Sequence, residues 1–185
     1  AGGFVGWSLS PIRNCTSVGS LSIHTEDEPL SPDVPVGPET AGGGFAGRVS
    51  ADVDECYAYP ESVVCISDHC VSYCGGFIGI FHRQDSSIVV KNSAAVTRLV
   101  NATGGLYGIA AGFLSRTENE HVHSGAIYLC AAHGDVIYAS ESGKDKATSW
   151  KSSISAGFVG YAEYLQIGNT YAVTNKVISN GYAFS

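Results

Sequence analysis

The chain has 185 residues, of which 44% are hydrophobic and only 15% charged, and its formal net charge is -7. This length suits a single domain, residues 1–185, with a sizeable hydrophobic core. The acidic balance and the absence of a basic run exclude a phosphate-binding surface for nucleic acid. No apolar run reaches the roughly 18 residues that a membrane-spanning helix needs, so no span is predicted. The chain does not begin with Met, which favours a mature form or an excised piece.

Cysteine usage predicts disulfide bonds and an oxidising compartment, because an even count in a chain with few lysines is typical of secreted proteins. The six cysteines are Cys15, Cys56, Cys65, Cys70, Cys74 and Cys130. Two N-glycosylation sequons, at Asn14 and Asn101, agree with a secreted glycoprotein. The predicted location is therefore extracellular or on a virion surface.

A Pro/Gly-rich segment, residues 26–44, is predicted to be a long surface loop. Proline recurs at every third position and the segment ends in three glycines. This spacing suits an extended, polyproline-like run without internal hydrogen bonds. Such a run either crosses one face of the domain or serves as a recognition segment for an aromatic groove.

Short apolar or alternating runs follow one another along the rest of the chain, with turn residues between them. Residues 104–114 and 125–132 are predicted to be neighbouring strands joined by a charged loop. Gly134-Asp135 predicts a hairpin turn, and Ala94 to Val100 is predicted to be a strand because it is rich in β-branched residues. The pattern predicts an all-β domain, an antiparallel β-sandwich or barrel of jelly-roll type with long loops and disulfides.

A Gly-Phe motif recurs five times, and its phenylalanines are 41, 32, 36 and 45 residues apart. They are Phe4, Phe45, Phe77, Phe113 and Phe158. A five-bladed propeller would need regular periods of about 40 residues. The uneven intervals instead favour a glycine that lets strands pack closely beside a core phenylalanine.

A metal site is one hypothesis for the His-x-His pair in the predicted loop. If the segment is extended, His121 and His123 lie on one face, and His133 could supply a third nitrogen. The neighbouring acids, Glu118 and Glu120, indicate an exposed tip rather than a dry cavity. We therefore predict no metal, although a secreted metal-dependent enzyme using these histidines remains the alternative.

The clustered cysteines suggest two further kinds of site. Cys74-Gly75-Gly76 resembles the nucleophile turn of chymotrypsin-like cysteine proteases. Asp68-His69-Cys70 offers zinc ligands together with Cys65 and Cys74, but gaps of four and three residues do not match structural zinc sites. We expect disulfides instead, with no catalytic residue and no cofactor, and keep a cysteine protease as an alternative.

The C-terminal part is similar to jelly-roll head domains of the complement-C1q and tumour-necrosis-factor type, and to viral capsid spike or fibre heads. The residues that carry the resemblance are Gly105-Leu106-Tyr107, the turn at Gly134, and residues 164–171, in which Asn169 stands where aspartate is usual. The resemblance implies a jelly-roll sandwich that works as a homo-oligomer, a dimer or a trimer.

These observations predict a non-enzymatic recognition domain, either a virion spike or fibre head or a secreted binding module. The predicted partner is a host receptor protein or a glycan. The candidate contacts are Tyr57, Tyr59, His121, His123 and Trp150. Tyrosine and tryptophan are chosen because they offer flat, amphipathic area to sugar rings or protein partners.

Overall fold

The computed structural model describes residues 1–26, 39–83, 87–119, 125–142, 153–180 and 182–184. Within these ranges the chain is all β, which confirms the predicted class, and every strand pair is parallel. The strands, in chain order, are β1 (Val5–Ser8), β2 (Ile12–Arg13), β3 (Thr16–Val18), β4 (Leu21–Thr25), β5 (Thr40–Gly43), β6 (Ala46–Val49), β7 (Val53–Asp54), β8 (Tyr57–Tyr59), β9 (Ser62–Ser67), β10 (Val71–Gly75), β11 (Ile78–Arg83), β12 (Val89–Lys91), β13 (Ala94–Gly104), β14 (Tyr107–Ala111), β15 (Leu114–Asn119), β16 (Gly125–Tyr128), β17 (Ala131–Glu141), β18 (Ile154–Ala156), β19 (Val159–Tyr161), β20 (Leu165–Gly168), β21 (Tyr171–Ser179) and β22 (Tyr182–Phe184).

The strands coil into a β-solenoid of about four turns with four sheets along its length. Sheet 1 has the order β1-β6-β11-β15-β19 and sheet 2 the order β2-β7-β12-β16-β20. Sheet 3 has the order β3-β8-β13-β17-β21, with β9 paired to the second half of β13 and β4 paired to β9. Sheet 4 has the order β5-β10-β14-β18-β22. Each strand therefore pairs with its counterpart one turn away, not with its neighbour in sequence.

The antiparallel sandwich or barrel that the sequence predicted is wrong. Residues 104–114 and 125–132 are strand-forming, but β14 belongs to sheet 4 and β16 to sheet 2. Gly134-Asp135 is no hairpin, since it lies within the 11-residue strand β17, where Gly134 pairs with Thr97. A jelly roll, the fold that the resemblance implied, is likewise not the fold of the described residues.

The recurring Gly-Phe motif marks the start of sheet 1 in every turn, and its phenylalanines stack along the axis. Successive ring centroids are 5.1, 4.9, 4.8 and 4.9 Å apart from Phe4 to Phe158, with interplanar angles of 18° or less. That distance equals the spacing between neighbouring strands, about 4.8 Å. Glycine precedes the first four rings because the backbones approach closely there: a Cβ on Gly76 would lie 2.1 Å from the carbonyl oxygen of Gly112. In the last turn, a Cβ on Gly157 would meet no backbone atom within 4 Å. The expectation of close packing beside a core Phe is confirmed.

Two interior clusters show that the cross-section of the coil is bent. One contains Phe77, Ile78 and Ile127 and lies between sheet 1 and sheets 2 and 3. The other contains Val63 and Val100 of sheet 3 and Ala110 of sheet 4. A third, smaller cluster joins Tyr73 and Ile109 of sheet 4 to Ile80 of sheet 1. The bend therefore makes a concave corner on the outer surface of the coil, where sheets 4 and 1 face each other. We call this concave surface the inner corner.

The predicted disulfides are wrong, because none of the six cysteines forms a disulfide bond. Parallel coiling places residues from the same position of each turn in one column. Cys15, Cys56 and Cys130 occupy such a column beside Ser93, whose hydroxyl accepts a hydrogen bond of 3.1 Å from the Cys56 amide. The four cysteines that are close in sequence, Cys56, Cys65, Cys70 and Cys74, all lie in the second turn, between β7 and the end of β10. All six except Cys15 are buried.

The predicted loop at residues 26–44 lies mostly outside the described residues, and its last part forms β5. No helix in the described ranges is long and apolar enough to cross a membrane.

Candidate functional site

The inner corner between sheets 4 and 1 holds a column of side chains that follow the motif phenylalanines by three residues. Strand register places Trp7, Arg48, Ile80, Arg116 and Tyr161 side by side in β1, β6, β11, β15 and β19. The rings at both ends are solvent-exposed, 50% for Trp7 and 39% for Tyr161. The fold thus builds a line of aromatic and cationic groups along the axis that is exposed at both ends and has the buried Ile80 at its centre.

The two arginines of this column are joined by a shared carboxylate. One oxygen of Glu39 lies 3.4 Å from the Arg48 guanidinium and the other lies 3.3 Å from that of Arg116. Arg116 also donates to the Tyr73 hydroxyl and lies over the Tyr73 ring, 5.0 Å from its centroid. Each arginine side chain is 27% exposed, so both retain access to solvent.

A second carboxylate completes the cluster. It belongs to Glu118, which lies two residues beyond Arg116 in β15 and pairs with His82 of β11. It lies 3.4 Å from Arg48, and its Oε2 is 2.9 Å from Nδ1 of the buried His82. We name Glu39, Arg48, Tyr73, His82, Arg116 and Glu118 the corner network. Its half-buried, mutually bonded charges are held in fixed positions at the surface.

Burial shifts the acidity of two members of the corner network. It raises the pKa of Glu39, and the nearby charge of Glu118 raises it further, while Arg116 and Arg48 oppose the change. Burial also raises the pKa of Tyr73, so that this phenol stays protonated and can donate or accept a hydrogen bond. Ionisable groups with perturbed acidity cluster at functional sites more often than elsewhere.

Trp7 is fixed at the end of the column by three contacts. Its indole nitrogen donates to the Ser50 hydroxyl at 2.9 Å, and the Arg48 guanidinium lies 5.5 Å from its ring centroid. His82 meets it edge-on with centroids 6.1 Å apart. Its exposed ring is therefore oriented before any ligand arrives.

Two of the five site residues that the sequence predicted lie within the described part of the chain. Tyr57 and Tyr59 are 38% and 47% exposed on β8 of sheet 3, away from the corner network. His121, His123 and Trp150 lie outside the described residues. Among the described residues, no group of three or more potential ligands could hold a metal ion.

Among the residues of the alternative sites suggested by the sequence, Cys65 and Cys74 lie together in one buried cluster. Cys74 is fully buried and its thiol donates to the Val63 carbonyl at 3.2 Å. Burial raises its pKa well above the usual value, and a protonated, enclosed thiol is a poor nucleophile. His133 is exposed on β17, and Asp68 binds His24 at 3.1 Å. Of the sequon asparagines, Asn14 is exposed at a corner and Asn101 is half-buried in β13.

A separate surface hollow of about 380 Å³ lies on sheet 3 and is lined by Glu61, Ser62, Arg98, Leu99, Asp135 and Val136. Its ion pair, Arg98 with Glu61 at 3.0 Å, joins side chains that are 73% and 70% exposed. Exposed pairs of this kind are worth little and reorder easily. The corner network, whose groups are held from several sides, is the better candidate.

Sequence reasoning missed the corner network, although a signal for it was present. Its members are distant in the chain, as Glu39 and Arg116 show. The signal was the common offset: arginine, tyrosine or tryptophan stands three residues after four of the five motif phenylalanines.

Comparison of the chain with family models, curated proteins and solved structures finds no match.

Proposed function

We propose that the chain is a non-enzymatic recognition domain, exposed outside cells or on a virion, that binds a neutral glycan in the inner corner of the solenoid. The observation that supports this function is the corner network itself, two arginines and two glutamates held in place between two exposed aromatic rings.

Pre-ordering of the polar groups favours ligand binding. Each immobilised side chain would otherwise cost about 0.5–1.5 kcal/mol when a ligand arrives. Glu39 already bridges Arg48 and Arg116, and Glu118 already holds Arg48 from the other side. Their remaining hydrogen-bonding capacity points to a ligand with many hydroxyl groups, since guanidinium donates and carboxylate accepts.

Charge balance favours a neutral ligand over a polyanion. The positive charges of Arg48 and Arg116 are matched by the carboxylates bound to them. The whole chain carries a formal net charge of -7, which repels acidic polymers at long range.

The length of the column favours an extended ligand. Trp7 and Tyr161 are separated by four strand spacings, about 19 Å at roughly 4.8 Å each. Aromatic rings offer an apolar face to sugar rings. A short oligosaccharide lying along the solenoid axis can contact both rings and the corner network between them.

A glycan array covering neutral and acidic oligosaccharides tests the proposal, followed by calorimetric titration of each hit. We expect neutral glycans to bind wild type, and R48A and W7A to weaken binding by about tenfold or more, a loss of about 1.4 kcal/mol. R98A is the matched control, because it removes an arginine ion pair from sheet 3. Circular dichroism verifies that each variant is folded. Absence of glycan binding, or an equal loss in R98A, would contradict the proposal.

A further inference from the structure

Exposed large apolar side chains concentrate at the two ends of the solenoid. Of the thirteen among the described residues, nine lie in the first and last turns. They are Phe4, Trp7, Leu9 and Val18 in the first turn, and Tyr161, Tyr164, Ile167, Tyr171 and Val173 in the last. This distribution differs from the scattered single exposures of an ordinary surface, and such concentrations mark interaction sites.

Both ends also present unpaired strand edges. Within the described residues, β1 to β4 pair only toward the second turn, and β19 to β22 pair only toward the preceding one. An edge strand without a partner on one side presents amide and carbonyl groups outside any sheet ladder, which is a template for another strand. Among the described residues, neither end strands nor end side chains are covered by another turn.

Columns of interior side chains run along the axis, and each has an apolar residue in the first turn and another in the last turn. The phenylalanine column begins with Phe4 and ends with Phe158. Sheet 2 has a column from Ile12 through Val53, Val90 and Ile127 to Ile167.

Two further columns show the same match. Sheet 1 has one from Val5 to Val159. Sheet 3 has one from Leu21 through Val63, Val100 and Ile137 to Val177. An added first turn would therefore place an apolar side chain on an apolar side chain in each of the four columns.

We propose that a second copy of this chain docks its first turn on the last turn, in a head-to-tail stack that continues all four parallel sheets. Only this polarity keeps the strands parallel across the junction, as they are throughout the chain. Phe4 of the added copy then stacks on Phe158 at the usual strand spacing. The contact is heterologous, so each stacked pair leaves one end of each kind open and growth continues.

The stack would also extend the column that runs from Trp7 to Tyr161. Trp7 of one copy would follow Tyr161 of the other, which joins two glycan-binding corners into one. Self-association itself does not depend on glycan binding, so it can be measured in the absence of glycan.

Sedimentation velocity over a range of concentrations tests the stack with two end-blocking variants, F4K for the first turn and I167K for the last. Both side chains are about half exposed, 50% and 47%, so lysine can reach solvent in the monomer. V96K is the matched control, because Val96 is 43% exposed on the third turn. Circular dichroism and cooperative thermal unfolding verify folding.

We expect wild type and V96K to form a concentration-dependent series of oligomers, and F4K and I167K to sediment as monomers. An equimolar mixture of F4K and I167K retains one compatible pair of ends, so it should give a dimer and nothing larger. A monomeric wild type at every concentration overturns the proposal. So does association of either blocked variant alone, or a mixture that stays monomeric while wild type associates.

Discussion

The rings of Phe77 and Phe113 stack with their centroids 4.8 Å apart and their planes 18° apart, in the middle of the phenylalanine column. Both side chains are fully buried, whereas the ring of Phe4 at the end of the column is 50% exposed. The same ring-to-ring contact therefore occurs in a buried environment at the centre of the column and in a half-exposed environment at its end.

Truncation of a central ring should cost more than truncation of the end ring. We expect Phe77→Ala to lower the free energy of unfolding by about 3–5 kcal/mol, since it removes buried area and leaves a cavity between two turns. Phe4→Ala should cost clearly less, because half of its ring is already in water. Urea denaturation of both variants measures the difference. Equal losses would contradict a stack that is tightest at its centre.

Glycine at the sheet 4 to sheet 1 corner should not tolerate a methyl group. A Cβ on Gly75 would lie 1.8 Å from the carbonyl oxygen of Ile78, which is backbone and cannot move aside cheaply. We expect Gly75→Ala to cost about 4 kcal/mol or to prevent folding. Gly6→Ala is the control, since a Cβ there meets nothing within 4 Å. Thermal unfolding compares the two, and a mild effect at position 75 would contradict the close approach.

We expect a thiol reagent to detect six reduced cysteines, most of which are shielded from the reagent in the native fold. Burial raises the pKa of Cys130 to about 11, and it also raises the pKa of Cys56 and Cys74. We expect Cys15 alone to react rapidly with a thiol reagent in the native protein, and all six to react in denaturant without reductant. Mass spectrometry counts the adducts. Fewer than six in denaturant would show that disulfides had formed.

Stability should depend on pH through Glu39. Its pKa is raised above 4.5, chiefly by burial and then by Glu118, so the folded state holds this proton more tightly than the unfolded state. The stability that results is fully present below pH 4.5 and is lost as the pH rises through the folded-state pKa. Glu39→Gln carries no charge at any pH.

We therefore expect Glu39→Gln to gain stability relative to wild type as the pH rises from 4 to 7. Urea denaturation at several pH values measures the trend. Glu61→Gln makes the same chemical change on the exposed ion pair of sheet 3 and serves as control. A difference between Glu39→Gln and wild type that does not change with pH would contradict the assigned shift.

The class of secondary structure could be predicted from sequence, but the pairing of the strands could not. The apolar run before Gly134 and the run after it look like a hairpin, because alternation reports only which face is buried. In the structure the run before it lies mostly in β16 of sheet 2, whereas Gly134 and the run after it belong to β17 of sheet 3. Gly134 pairs with Thr97 of the preceding turn. The partner of each residue is set by the length of a whole turn, which a local pattern does not contain.

The corner network illustrates the same difficulty at the level of the site. Arg48 and Arg116 are 68 residues apart, yet they flank Ile80 in adjacent strands. Local motifs such as His121-Val122-His123 attract notice because their members are sequence neighbours. In a coil, residues at the same offset from a repeated motif become neighbours, so the offset and not the distance along the chain identifies the site.

Uneven intervals between the motif phenylalanines show that turns of different length stack on one another without disturbing the ring column. In such coils stability is approximately a sum of turn and nearest-neighbour terms. A whole turn is therefore a removable part: joining Gly76 directly to Phe113 would excise one turn and preserve the Gly-Phe junction. The length of the solenoid is therefore set by the number of its turns. Deletion or duplication of a turn can change that number while each remaining internal turn still packs between two neighbours.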